Sequence, residues 1–109
     1  MYIFFANERT GIMDIRENVN DTRKGFEELF AAGDFYNRQT QDSEHLEKIT
    51  GFVKNVEGMR VLDLGTGSGY LSFPLAKDNP GCEIIGLDIV CNALEANRAR
   101  AKAEGVKNL

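Results

Sequence analysis

The stretch Val61–Leu75, VLDLGTGSGYLSFPL, decides the fold of this chain. It begins with branched apolar residues around one acid, Asp63, which is the pattern of a buried parallel strand. Three glycines follow at every second position, Gly65, Gly67 and Gly69, and an apolar helical pattern begins after them. Glycine adopts positive φ without a Cβ penalty and lets the backbone approach a ligand closely. A buried strand that turns into a helix through glycine predicts a nucleotide-binding βα unit.

A second acid stands at the end of another apolar run. Residues 83–89 read EIIGLDI, which predicts a short buried strand with Asp88 at its carboxyl end. One ionised carboxylate can accept hydrogen bonds from both hydroxyls of a ribose. An acid roughly 20 residues beyond a glycine loop is the arrangement that binds ribose in dinucleotide-binding folds. This spacing alone suits NAD as well as other adenosine cofactors.

The glycine pattern favours one class of cofactor. The dinucleotide fingerprint requires G-x-G-x-x-G, and Tyr70 occupies the position of its last glycine. The stretch VLDLGTGSG, with Asp63 two residues before the first glycine, instead resembles the first motif of class I S-adenosylmethionine-dependent methyltransferases. The resemblance covers residues 56–109, about half of the chain. An NAD-dependent oxidoreductase fragment and a noncatalytic interaction module are the alternatives.

The resemblance implies a role for each part of the site. The first acid orders the glycine loop beneath the methionine end of the cofactor, the second acid holds the ribose, and the apolar residue after it lies against the adenine ring. On this chain the implied cofactor-binding residues are Asp63, Gly65, Thr66, Gly67, Gly69, Asp88 and Ile89. The implied reaction is in-line methyl transfer, promoted mostly by proximity and orientation. No catalytic residue is predicted.

The chain is predicted to have two parts. Residues 1–55 form an amino-terminal helical segment, in which Phe26 belongs to the apolar face of a helix, and residues 56–109 form the first half of the cofactor-binding domain. Many small-molecule methyltransferases carry an amino-terminal helix with aromatics that covers the cofactor, and the segment with Phe35 and Tyr36 looks similar. Tyr36 is therefore a cofactor-site candidate, and the acceptor is predicted to be a small molecule. Alternatively, the two aromatic residues only cap the core.

The expected fold class is α/β, a Rossmann-like doubly wound parallel sheet with amino-terminal helices. Strands are predicted at residues 60–64 and 83–88, and the first is expected to be covered on both faces as in other parallel sheets. A helix from about Ser68 to Lys77 would contain Pro74 in its interior, where proline bends a helix. Asn92 is predicted to cap the following helix, with Glu95 as its capping-box partner.

The number of strands suggests an incomplete sheet. A doubly wound sheet binds its ligand where the strand order reverses, and this chain supplies two strands and the approach to a third at residues 106–109. We therefore expect a fold truncated after the second or third strand. The alternative is a half-domain that self-associates through its open sheet edges, which can pair with other chains.

Composition limits the partners. The net charge of −4 argues against a nonspecific nucleic-acid surface, so a nucleic-acid partner is not expected. The sequence contains no apolar stretch long enough for a membrane span and no signal-peptide pattern, which predicts a cytoplasmic protein without membrane contact. Cys82 and Cys91 flank one strand and are predicted to be free thiols. No Cys or His spacing indicates a metal site.

Overall fold

A computed structural model describes residues 15–33, 43–53 and 58–109 of the chain. Within these ranges the fold is mixed α/β, with a two-stranded parallel sheet and four helices. In chain order the elements are α1 (Ile15–Ala31), α2 (Ser43–Phe52), β1 (Arg60–Leu64), α3 (Ser72–Asp78), β2 (Glu83–Leu87) and α4 (Cys91–Glu104). None of the described helices is long and apolar enough to cross a membrane.

The sheet places the two acids of the sequence motif at one edge. β1 and β2 pair in parallel from Arg60 opposite Glu83 to Leu64 opposite Leu87. The predicted bounds of β1 are confirmed, whereas β2 ends at Leu87, so that Asp88 lies just beyond the strand. Because the carboxyl ends of parallel strands meet at one edge of a sheet, the loop after β1 and the turn after β2 are neighbours.

The chain after α4 returns to the free edge of β2. The backbone N–H of Ile84 donates to the carbonyl of Asn108 at 2.8 Å. Its neighbour Glu83 donates on the opposite side, to the carbonyl of Met59 at 3.0 Å. β2 therefore lies between β1 and the segment 106–109, as expected for an approach to a third strand.

The core occupies one face of the sheet. Leu75, Ala76, Cys82 and Ile84 form a buried cluster, and Ser72 of α3 and Leu94 of α4 line a common small cavity over Gly86 of β2. The predicted cover on both faces is wrong for the described residues, because three leucines of the other face are 57%, 79% and 46% exposed, namely Leu62, Leu64 and Leu87. Crossover connections between parallel strands are right-handed, so two successive crossovers in one direction place both helices on the same face.

The helix after the glycine loop begins later than predicted. α3 begins at Ser72 and not near Ser68, because Gly67 and Gly69 adopt φ of 50° and 76° and cannot belong to a right-handed helix. The N–H of Gly69 donates to the carbonyl of Thr66 in a turn at 2.8 Å. Pro74 consequently lies in the first turn of α3, where proline is tolerated, and not in a helix interior.

The predicted capping box of α4 is also wrong. α4 begins at Cys91 with Val90 as its N-cap residue, and no side chain caps it. The N–H of Val90 donates to a carboxylate oxygen of Asp88 at 2.9 Å. This bond turns the chain directly after β2, and the carbonyl of Val90 then accepts the first helical bonds, so the helix is already formed at Asn92.

Helix α1 packs against α4 outside this α/β unit. None of the 17 residues that the structure describes in α1 is buried. Phe26 and Leu29, which the sequence places on its apolar face, are 44% and 46% exposed. The contact between α1 and α4 therefore leaves every residue of α1 at least partly exposed.

We predict that Asn108→Ala destabilises the fold by about 1 to 3 kcal/mol. The side-chain amide of Asn108 lies 2.8 to 3.0 Å from the carbonyl oxygens of Ala76, Asn79 and Cys82, and its loss removes their donor. Urea unfolding measures the change. The exposed Asn92 is the control, since Asn92→Ala within a helix should change stability by less than about 0.5 kcal/mol. Equal urea midpoints for the two variants would contradict a stabilising role of the Asn108 side chain.

We predict that Gly69→Ala destabilises the fold more than Gly65→Ala. Both glycines have positive φ, near 76° and 80°, so alanine at either position carries a left-handed penalty of about 1 to 2 kcal/mol. Only at position 69 would the new Cβ also clash, 2.5 Å from Cδ2 of Phe73, whereas nothing lies within 4 Å at position 65. Overpacking adds about 1 to 3 kcal/mol.

The two glycine variants are compared by urea unfolding at the same protein concentration. A larger loss for Gly65→Ala than for Gly69→Ala would show that the loop does not pack on α3 as described.

Candidate functional site

The glycine loop is tied to the end of β2 by backbone hydrogen bonds. The N–H groups of Gly65 and Thr66 both donate to the carbonyl of Leu87, at 2.8 and 2.9 Å. This carbonyl belongs to the last residue of β2, so the loop lies across the carboxyl edge of the sheet. The predicted juxtaposition of the glycine loop and the second acid is therefore present.

Asp88 directs its carboxylate at the glycine loop. One oxygen accepts the N–H of Gly67 at 2.8 Å, and the other accepts the N–H of Val90 at 2.9 Å. A carboxylate offers about four acceptor positions, so two remain after these bonds. The half-buried side chain can hold the loop and still accept hydroxyl groups from a ligand.

Gly67 is held on its other side by a residue that the sequence did not reveal. The side-chain amide of Asn97 in α4 donates to the carbonyl of Gly67 at 2.7 Å. Asn97 lies between Ala93 and Ala101, at four-residue intervals on the buried face of α4. A polar residue on such a face must find a partner, and this pattern is the signal that could have identified it.

Asp63 braces the loop through hydroxyl groups. Ser72 donates to the Asp63 carboxylate at 2.6 Å, and the Thr66 hydroxyl lies 2.8 Å from that of Ser72. Because the only hydroxyl hydrogen of Ser72 points to Asp63, the hydrogen between the two hydroxyls comes from Thr66. Ser72 and Thr66 are both buried. The chain Thr66–Ser72–Asp63 thus joins the loop, α3 and β1.

Two cavities lined by described residues border the loop at Gly65 and Gly67. The larger has a volume of about 610 Å³ and is lined by Phe26, Leu64, Gly65, Gly67, Leu87, Asp88 and Ile89. The smaller has a volume of about 200 Å³ and is lined by Asp63, Gly65, Thr66, Gly67, Ser68, Tyr70 and Leu71. Gly65 and Gly67 line both, so only main chain separates the cavities at these two residues.

The predicted site residues fall into groups according to the cavity that they line. Gly65, Gly67, Asp88 and Ile89 meet at the larger cavity, and Asp63 and Thr66 line the smaller one. Gly69 lines neither, because it packs against the ring of Phe73. Tyr36 lies outside the described residues. An aromatic side chain does reach the larger cavity, but it is Phe26 of α1, which the sequence suggested only as part of an apolar helix face.

Comparison with known proteins identifies the family. The profile of a methyltransferase domain family matches residues 55–109, which contain both strands, the glycine loop and α4. The match covers half of the chain. No solved structure matches the chain significantly.

Curated relatives carry methyltransferase names. The release factor glutamine methyltransferase of Buchnera aphidicola is 39% identical over 69 residues, which cover 62% of this chain and 25% of that protein. The ribosomal RNA small subunit methyltransferase G of Nitrosococcus oceani is 38% identical over 52 residues, with coverage of 48% and 24%. The ubiquinone biosynthesis O-methyltransferase of Rickettsia canadensis is 34% identical over 62 residues, with coverage of 57% and 25%.

The chain spans about a quarter of the length of these relatives. The family profile nevertheless matches the same residues that build the loop and the two acids. The chain therefore belongs to the class I S-adenosylmethionine-dependent methyltransferases.

Proposed function

We propose that the described site binds S-adenosylmethionine and that the protein transfers its methyl group to an acceptor. The observation that carries the proposal is the Asp88 carboxylate, which bonds to Gly67 of the glycine loop beside a cavity that both residues line. Family membership supports use of this cofactor in general. The role of each residue is our proposal.

The residues of the two cavities suit the parts of the cofactor. The larger cavity falls within the range of about 300 to 1,000 Å³ that is usual for ligand sites, and it combines one carboxylate with apolar side chains. A carboxylate suits the ribose hydroxyls, and apolar walls suit the adenine ring. The smaller cavity, with Asp63 and Ser68, would receive the amino-acid tail, and the bare glycines between the cavities leave room for a ligand that spans both.

The residues of the chain would bind and orient the cofactor. Asp88 would accept the ribose hydroxyls, Ile89 would pack against the adenine, and Gly65 and Gly67 would let the tail approach the backbone. Thr66 and Asp63 would keep the loop in place through Ser72, and Gly69 would hold it on α3. When bound, the cofactor supplies an electrophilic methyl group on its sulfonium. Positioning of this group is the contribution that we assign to the described residues.

The acceptor stays open. The small-molecule prediction rests on the segment around Tyr36, which lies outside the described residues. The names of the three relatives refer to a release factor, to ribosomal RNA and to ubiquinone biosynthesis. They do not favour a small molecule over a macromolecule, and the expected absence of a nucleic-acid partner gains no support from them. The division at residue 55, the cytoplasmic location and self-association through sheet edges also remain predictions.

Two alternatives can be tested against the proposal. Membership of the methyltransferase family does not support an NAD-dependent oxidoreductase, whose fingerprint Tyr70 already interrupts. A noncatalytic interaction module would use the same fold without a cofactor. It predicts that neither S-adenosylhomocysteine nor NADH raises the melting temperature of the protein, whereas our proposal predicts a rise with the first compound only.

We predict that Asp88→Asn weakens the binding of S-adenosylhomocysteine at least tenfold. A hydrogen bond to a charged group contributes about 1.5 to 3 kcal/mol, and about 1.4 kcal/mol corresponds to a tenfold change in affinity. Asparagine keeps the size of the side chain but replaces one acceptor oxygen with a donor. Calorimetric titration of the protein measures the dissociation constant.

Asp78→Asn is the matched control. Asp78 is exposed at the end of α3 and lines neither cavity, so its substitution should leave the dissociation constant within about twofold. Melting temperatures of both variants identify any general loss of structure. Equal affinities for the Asp88 variant and the unsubstituted protein would remove Asp88 from the site.

A further inference from the structure

The larger cavity has one wall that does not come from the α/β unit. Phe26 of α1 lines it together with the ends of both strands and the glycine loop. α1 reaches this position through its packing against α4. An aromatic ring from the amino-terminal part of the chain thus lies at the site that the two sequence motifs build.

The apolar lining of this cavity is accessible to solvent. Its large hydrophobic side chains are 44%, 79%, 46% and 45% exposed, for Phe26, Leu64, Leu87 and Ile89 respectively. Clustered exposed apolar surface marks sites at which a ligand or partner binds. The same cavity contains the Asp88 carboxylate, so its occupant must offer an apolar surface beside hydrogen-bond donors.

We infer that Phe26 forms part of the adenine pocket and packs against the purine of the bound cofactor. The inference rests on the proposed function, in which Asp88 holds the ribose. Because the purine is bonded directly to that sugar, it must lie beside Asp88, where Ile89 and Phe26 supply apolar surface. An aromatic ring suits a flat purine, since aromatic pairs gain stabilisation beyond their buried area.

A second consequence concerns α1 itself. Its described residues are all at least partly exposed, so further surface of the helix can become buried when a ligand binds. A purine against Phe26 would add buried surface to α1 and would stabilise its position on α4. Cofactor binding should therefore slow amide hydrogen exchange in α1, a helix that contains neither sequence motif.

The test compares Phe26 with Leu29, which lies on the same helix at nearly equal exposure, 46% against 44%, and lines neither cavity. Phe26→Ala should weaken S-adenosylhomocysteine binding about three- to tenfold by calorimetry, the range of one aromatic contact, and should abolish the ligand-induced protection of α1. Leu29→Ala should leave affinity within about twofold and should keep that protection.

Fluorescence provides a second readout that does not depend on truncating a side chain. The 109 residues contain no tryptophan. We expect S-adenosylhomocysteine to change the emission of a Phe26→Trp variant in a saturable manner, with the dissociation constant found by calorimetry. A Leu29→Trp variant should show no such change, and the unsubstituted protein supplies the background.

The outcomes separate this inference from the proposed function. Weaker binding in Phe26→Ala with a saturable signal from Phe26→Trp supports it. If the unsubstituted protein binds S-adenosylhomocysteine, while Phe26→Ala binds equally well and Phe26→Trp gives no signal, the inference is overturned and the proposed function stands. If the unsubstituted protein does not bind the compound, both are overturned.

Discussion

The Asp88 carboxylate joins three parts of the chain, because its two oxygens accept N–H groups from the glycine loop and from the turn that leads into α4. This bond helps to fix the loop conformation, because it holds the N–H of Gly67, a residue with positive φ. The start of α4 depends on it as well. One side chain at the end of β2 therefore sets the position of both elements that flank the proposed cofactor site.

Around this interaction, the contacts fall into two layers. On the packing side, Thr66, Ser72 and Asp63 form a hydroxyl–carboxylate chain, and Asn97 holds the carbonyl of Gly67. On the side of the larger cavity, the surface consists of backbone, one carboxylate and apolar side chains. Buried polar groups in the first layer are hydrogen bonded, as their burial requires. In the proposed function, the cofactor would contact the second layer.

The features that could be predicted from the sequence are those that depend on strand periodicity and on the glycine loop. β1 could be predicted from its apolar pattern. Asp88 could be placed because the residue after a parallel strand lies at the carboxyl edge of the sheet. The start of α3 could not be predicted, because the sequence does not show that both Gly67 and Gly69 adopt positive φ and delay the helix to Ser72. Asn97 and Phe26 were missed for another reason. Each acts through a contact between distant elements. The spacing on α4 indicates that Asn97 needs a hydrogen-bond partner, and Phe26 belongs to an apolar helix face, but neither local pattern identifies the distant residues that they meet.

Gly65 and Gly67 border both cavities. The N–H of Gly67 donates to Asp88, and its carbonyl accepts from Asn97. In the proposed site, the backbone of these two glycines would therefore set the distance between the position of the ribose and the position of the amino-acid tail. A ligand that occupies both cavities would have to match this distance, because the N–H and the carbonyl of Gly67 are both held by hydrogen bonds. The site would then select a ligand by the distance between its sugar and its tail. The main chain of the loop, and not a side chain that contacts sulfur, would set this distance.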